Sequence, residues 1–453
     1  MISKYYPGFL QVSQIKSATP LRFVGNPTVP PVTLSQFIDK YVPEFADGST
    51  DSLSPCLFNG HLQTSYAGLS KFLDIDEVNF KRLMVTYPDG SQGALDFAVR
   101  KYEPSSYQPP HQLPFREPLD KYYSYMQPDD PLLKSDDRKP MLVCLHGLTG
   151  GSHESYIRTI IHDLIADDGF EACVLNSRGC CQSRITTPQL YNGGWTNDIR
   201  YVMDQLFQMY PNRTFYMVGF SLGASILSNY IGEQGDRIAD RVRCAVVFGN
   251  PWDLVGSWEA LTSTAIGNRI YSPLLTKNLI NLTKTHVAVL GKRDDWKKAY
   301  DQYINAVNTV KEFDDVFTGP MFGYRDATEY YNDASSWKRL SGVRVPLIGI
   351  NSLDDPIVGF KKLHEEQFKS NPYTLLVKTN IGGHIAWFKD LSGRRWYSGP
   401  ICRFFKEFHR EITMKGLHAE VDASDLPKDV CVPVRTTYDM ATRLPLSSSL
   451  ECI

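Results

Sequence analysis

The stretch Thr214–Ser228, TFYMVGFSLGASILS, constrains this chain more than any other. It reads as a short apolar strand, then Gly219-Phe220-Ser221-Leu222-Gly223, then a helix opening on small residues. A sharp strand-to-helix turn of this kind lifts one serine above a sheet, and the flanking glycines leave room for crowded backbone. A serine hydroxyl is a weak nucleophile unaided. It needs a histidine to take its proton, a carboxylate to orient that histidine, and N–H donors for the oxyanion that develops. The rest of the chain can be searched for those parts.

On both sides of this stretch, apolar runs alternate with amphipathic ones. Met141–Leu145, Ala172–Leu175, Cys244–Phe248, Pro346–Ile350 and Tyr373–Val377 read as buried strands. Between them run helical patterns such as Tyr156, Ile157, Ile160, Ile161, Leu164 and Ile165. That alternation implies an α/β fold, a mostly parallel sheet with helices on both faces. Phe80–Tyr87 and Ala94–Val99, joined through Pro88-Asp-Gly90, read as an antiparallel hairpin ahead of it. The rhythm breaks between residues 254 and 340, where helical stripes and aromatic residues replace strands; this predicts a helical cap inserted over the sheet. The expected organisation is an N-terminal wrapping extension (1–75), a core (76–253 and 341–415), the cap (254–340) and a C-terminal tail (416–453) lying on the surface. Most cap aromatics, among them Phe317, Tyr330 and Tyr331, are expected in the core, with one or two lining a pocket.

Composition narrows the function classes. A formal net charge of -2 over 453 residues gives no basic field for nucleic acid. Nine cysteines in so long a chain make no disulfide framework, and a reducing compartment is expected. The N-terminus lacks the apolar core of a signal peptide, and no stretch reaches the roughly 18 apolar residues of a membrane span. Cys452 stands at the wrong place for prenylation. His146, His153 and His162 lack the H-E-x-x-H spacing of a zinc hydrolase, and Gly147–Gly151 lacks the G-K-[ST] ending of a phosphate loop. Neither a metal nor a cofactor is expected.

The unusual dipeptides all fall at strand ends, where ligands of such sheets bind. They are His146-Gly147, Arg178-Gly179, Asp354-Asp355 and the histidine of Gly382-Gly-His384. Ser221 would attack an acyl carbon, His384 would act as base and then acid, and one of Asp354 and Asp355 would hold the imidazole. The oxyanion would take the backbone N–H groups of Leu222 and Leu148. Phe220, Leu222 and Trp387 offer apolar surface for an acyl chain, and Phe220 and Trp387 are the expected substrate-binding residues. His61 is the one early catalytic candidate; the plainer reading is a histidine fixing a turn beneath the site.

Six segments together carry a family resemblance: Asn59-Gly-His-Leu-Gln-Thr64, His146-Gly-Leu-Thr-Gly-Gly-Ser152, Asn176-Ser-Arg-Gly179, Gly219-Phe-Ser-Leu-Gly223, Asn351-Ser-Leu-Asp-Asp-Pro356 and Gly382-Gly-His384. With Leu190–Asp198 and Ser392–Trp396, they make residues 50–415 similar to the type-4 α/β-hydrolase family. The resemblance implies an α/β-hydrolase fold with Ser221, Asp355 and His384 as the triad, since the family acid directly precedes the proline. It implies a serine ester hydrolase for monoacylglycerols and medium-chain acyl esters, working through an acyl-enzyme. The alternative it leaves open is an alcohol O-acyltransferase making medium-chain ethyl esters from acyl-CoA. The expected partner is a lipid ester, and the expected location is cytoplasmic with peripheral contact to lipid droplets or membranes. A non-catalytic binding module on the same fold is the third reading, and an intact Ser, Asp and His set argues against it.

Overall fold

The computed structural model describes residues 6–25, 30–70, 72–167 and 169–437. Cys452 and the tail beyond 437 lie outside the described residues. The large sheet contains β1 (Phe9–Lys16), β2 (Thr50–Ser52), β3 (Asn79–Thr86), β4 (Gln92–Val99), β5 (Tyr123–Tyr125), β6 (Met141–Leu145), β7 (Glu171–Asn176), β8 (Phe215–Phe220), β9 (Val242–Phe248), β10 (Leu347–Ser352) and β11 (Thr374–Thr379). Their order across the sheet is β2-β1-β11-β10-β9-β8-β6-β7-β4-β3-β5. The six strands from β11 to β7 are mutually parallel, and the β3–β4 hairpin continues the sheet antiparallel beyond β7.

The central strands are buried along their whole length because helices cover both faces, which is why they read as unbroken apolar runs. Gly90, at φ +80°, supplies the left-handed turn that closes the β3–β4 hairpin. The helices Ser155–Ile165 and Ser398–Phe408 pack against each other on one face. Leu222–Gln234 continues directly from β8 and packs on the other side of the elbow.

Two terminal segments do more than the sequence suggested. The N-terminal extension does not only wrap the domain: β1 pairs antiparallel with β11, with Val12 opposite Thr379 and Lys16 opposite Leu375. Leu10 and Val12 alternate into the core at 0% and 1% exposure. The neighbouring prolines masked that period-two pattern. The C-terminal tail also penetrates the structure. Val434 and Thr437 are buried, and the Val434 N–H and Thr437 hydroxyl both donate to Glu233 Oε1 at 2.9 Å.

Between β9 and β10 every described element is helical. Leu254–Thr262, Ser272–Thr285, Asp294–Tyr303 and Ala327–Ala334 are α-helices, and Gly267–Tyr271 and Asp314–Thr318 are single π-helical turns. Trp296, Phe313 and Phe317 are buried in the main core, whereas Tyr324, Tyr330 and Tyr331 form a separate cluster with Leu254.

Candidate active site

Ser221 sits between β8 and the helix Leu222–Gln234 with φ +50° and ψ −118°, a strained backbone for a residue with a side chain. The glycines around it are required by contact. A methyl on Gly219 would lie 2.8 Å from the Gly223 carbonyl oxygen, and one on Gly223 would run into the His146 carbonyl. The elbow therefore packs against itself and against the loop after β6, and the positive end of the following helix lies under the serine.

His384 reaches the serine from the loop after β11. Its Nε2 is 2.8 Å from Ser221 Oγ, and its Nδ1 is 2.8 Å from Asp355 Oδ2. Asp355 is buried, and its Oδ1 accepts the amides of Ile357 and Val358 at 2.8 and 3.1 Å. A carboxylate accepting from Nδ1–H leaves Nε2 with the lone pair that faces the hydroxyl. Asp354 has a different environment. Its Oδ1 accepts the Ser352 hydroxyl at 2.6 Å and the Gly382 and Gly383 amides at 2.9 Å, and burial raises its pKa. It pins the turn that presents the imidazole.

That turn is also gripped by the helix Gly60–Leu69. The His384 amide donates to Thr64 Oγ1 at 2.9 Å. Gly383, at φ +65°, lies so close that a methyl there would sit 2.7 Å from the Gly60 carbonyl and Thr64 Oγ1. His61 takes no part in the proton chain. Its Nδ1 is 3.2 Å from the Tyr271 hydroxyl and its ring stacks on that tyrosine, tying this helix to the cap.

The loop Gly147–Gly151 faces the elbow. The His146 Nε2 accepts the Ser177 amide at 3.0 Å, so its Nδ1–H donates to the Gly147 carbonyl at 2.6 Å. Burial lowers its pKa to about 4, which keeps the imidazole neutral. Gly147 N–H donates to the Tyr156 hydroxyl at 3.0 Å, and Thr149 N–H to the Tyr191 hydroxyl at 2.9 Å. Among the described residues no acceptor meets the N–H of Leu148 or Leu222. Behind this loop the buried Asp96 carboxylate pairs with Arg82 and accepts from Ser152 and Asn176. Arg178 is equally buried and pairs with Asp198 and Asp89. These ion pairs explain the Arg178-Gly179 dipeptide as scaffold. His153 faces Cys181 and His162 faces Asp163, so the three histidines turn to separate partners.

Ser221 and His384 open into a cavity of about 640 Å³ that runs under the cap. Leu148, Leu222, Trp258, Leu274, Leu279, Phe313 and Phe317 line it, with Thr64, Asn192 and Asp314 as polar points. Two expected substrate contacts are corrected here. Phe220 is fully buried against Tyr156 and Phe248, because the residue before the serine still follows the strand and points into the sheet. Trp387 is fully buried too; its Nε1–H donates to Thr379 Oγ1 and its ring fills the space beside Gly382. Neither touches the cavity. The sequence reading missed Thr64, Tyr156, Tyr191 and Trp258. Thr64 and Tyr191 lie in segments that carry the family resemblance; Tyr156 and Trp258 carry no local signal of a role at the site.

Monoacylglycerol lipase of Saccharomyces cerevisiae is 49% identical over 448 residues, covering 96% of this chain and 99% of that protein. Medium-chain fatty acid ethyl ester synthase/esterase 2 of the same yeast is 32% identical over 409 residues, 83% of this chain and 90% of that one. A solved Pyrococcus furiosus esterase superposes with a TM-score of 0.43 at 13% identity, covering 75% of this chain and 95% of its own, a likeness too low to add weight. The model of the α/β-hydrolase fold matches residues 140–389, which hold the elbow, both aspartates and His384. With more than half of its length matched in this way, the chain belongs to the α/β-hydrolase fold family.

Proposed function

We propose that this chain is a serine carboxylic ester hydrolase that cleaves monoacylglycerols and related medium-chain acyl esters. The observation that carries the reading is the unbroken pair of 2.8 Å contacts from Asp355 through His384 to Ser221, opening into an apolar cavity. The 49% identity to a monoacylglycerol lipase supports the substrate class.

In this reading Ser221 Oγ bonds to the acyl carbon while its proton passes to His384 Nε2. The oxyanion takes hydrogen bonds from the Leu148 and Leu222 amides. Collapse breaks the ester bond, and the glycerol oxygen leaves with the His384 proton. A water then gives its proton to His384 and its oxygen to the acyl carbon. The fatty acid departs as the proton returns to Ser221. Asp355 stays ionised and fixes the imidazole throughout.

An alcohol could take the place of that water, and the relative named as an ester synthase/esterase favours keeping this second reading. Product analysis with medium-chain acyl-CoA and ethanol separates them: excess free acid supports the hydrolase, excess ethyl ester the transferase. Loss of monoacylglycerol hydrolysis in Ser221→Ala, by at least about 10⁴-fold, is the expected test result; unchanged hydrolysis refutes the proposal.

The same reading includes docking at a lipid surface. Leu69, Ile270 and Leu274 line the cavity and are 83%, 50% and 54% exposed, which marks its mouth as an apolar rim. Among the described residues no helix is long and apolar enough to cross a membrane. Co-flotation with phosphatidylcholine–triacylglycerol emulsions that is lost in Leu69→Glu/Leu274→Glu would bear this out; equal flotation would refute it.

A further inference from the structure

Three consecutive amides of the loop after β6 have different fates. The N–H of Gly147 is taken by the Tyr156 hydroxyl and that of Thr149 by the Tyr191 hydroxyl. The Leu148 N–H between them meets no acceptor among the described residues. A free amide beside a nucleophile is what an oxyanion site requires, and it is useful only if its direction is fixed before the charge develops.

The backbone there does not hold this direction unaided. Thr149 has φ +56°, a left-handed conformation that a β-branched residue adopts only under constraint. Tyr191 can supply that constraint. It is buried, its hydroxyl also receives the Cys180 thiol at 3.4 Å, and it comes from the separate segment Leu190–Asp198. Tyr156 acts from the other side. Its ring packs on Phe220 with centroids 4.9 Å apart. A methyl on Gly147 would lie 3.3 Å from both the Tyr156 hydroxyl and Ser221 Cβ, so serine and phenol flank one glycine. Burial raises the pKa of both phenols, so they stay protonated.

We infer that Tyr156 and Tyr191 are positioning residues of the oxyanion site, a two-sided clamp that holds the strained loop so that the Leu148 N–H faces the reacting carbonyl oxygen. The inference rests on the ester-hydrolase reading above. It adds two side chains that touch the loop rather than the scissile bond.

The test compares full-length wild type, Tyr156→Phe, Tyr191→Phe and Tyr191→Phe/Thr149→Gly, each on a medium-chain monoacylglycerol. Two inhibitors are used alongside. A medium-chain trifluoromethyl ketone adds to the serine and develops the oxyanion; the matching monoalkyl glycerol ether binds without doing so. Each single variant should lose about 10- to 100-fold in kcat, with KM within about 3-fold of wild type. Affinity for the ketone should fall by a similar factor and affinity for the ether should not change. Glycine at 149 removes the strain, so the double variant should recover part of the lost kcat. It is also the variant to read for Tyr191 if the single change does not fold, with Tyr156→Phe carrying the other side independently.

Unchanged kcat and ketone affinity in the folded variants would overturn the inference. So would a raised KM with intact kcat, which would make the tyrosines ordinary walls of the cavity. Hydrolysis absent in wild type would instead bring down the ester-hydrolase reading, and the inference with it.

Discussion

The sheet rim and the helical segment 254–342 meet across one cavity, yet they are built by opposite rules. On the rim nearly every polar side chain is fixed twice or more: Asp355 by two amides and an imidazole, Asp354 by a hydroxyl and two amides, His146 by one bond at each ring nitrogen. Gly60, Gly219, Gly223 and Gly383 abut backbone there, so a side chain at any of them would collide. The cap has helices interrupted by two π turns, and it exposes Ile266, Ile270, Leu274 and Tyr303. Proton transfer depends on placement to a fraction of an ångström, whereas an acyl chain asks only for apolar volume. A rigid part and an adaptable part are therefore expected side by side.

The largest expected effect breaks the rim. Asp355→Asn should lower kcat about 10⁴-fold with the protein still folded, while Asp354→Asn, one residue away, should cost far less turnover. Steady-state kinetics together with melting curves measure both; equal losses would mean that the two carboxylates share the role. The next effect belongs to the cap. Trp258→Ala and Phe317→Ala should shift acyl-chain preference by about 10-fold or more in kcat/KM between short and long esters. Turnover of the shortest ester should stay within a few-fold. A uniform fall for all chain lengths would erase the division of labour.

Two smaller effects sharpen the comparison through pH, with opposite signs. His146 on the rim has its pKa lowered from 6.5 to about 4 by burial. The unfolded chain binds more protons in that window, so the stability this residue contributes is complete above about 6.5 and is lost as pH falls through about 4. Denaturant melts should show the advantage of wild type over His146→Gln shrinking by about 3 kcal/mol across that range. Asp314 in the cap lines the cavity, accepts the Tyr331 hydroxyl at 2.6 Å, and has its pKa raised from 3.8 to about 6 by burial. Here the folded chain binds more protons, so stability falls as pH rises from about 4 to 6. Asp314→Asn should therefore match wild type near pH 4 and exceed it at pH 8; a variant weaker at both would mean the charge is compensated.

The elbow was legible because its chemistry is local: Gly219, Ser221 and Gly223 must be neighbours in sequence to make one turn. Asp355 and Asp354 could be told apart only by the proline that follows, and the structure gives them different partners. Phe220 and Trp387 do not line the cavity, because closeness in sequence to Ser221 or His384 does not say which way a side chain points. Strand alternation sends Phe220 down into the sheet, and the turn after His384 folds Trp387 beneath itself. β1 was hidden by flanking prolines although Leu10 and Val12 keep its period.

The sequence by itself determined the alternating strand–helix order, the elbow and the chain order of serine, acid and histidine, since each depends on the periodicity of a single segment or on residues in contact along the chain. Only the tertiary structure decided that Thr64 steadies His384 and that Tyr156 and Tyr191 leave one amide free. Those contacts join residues 9 to 320 positions apart. Their partners are selected by packing and by the need to satisfy buried polar groups, which no local pattern encodes.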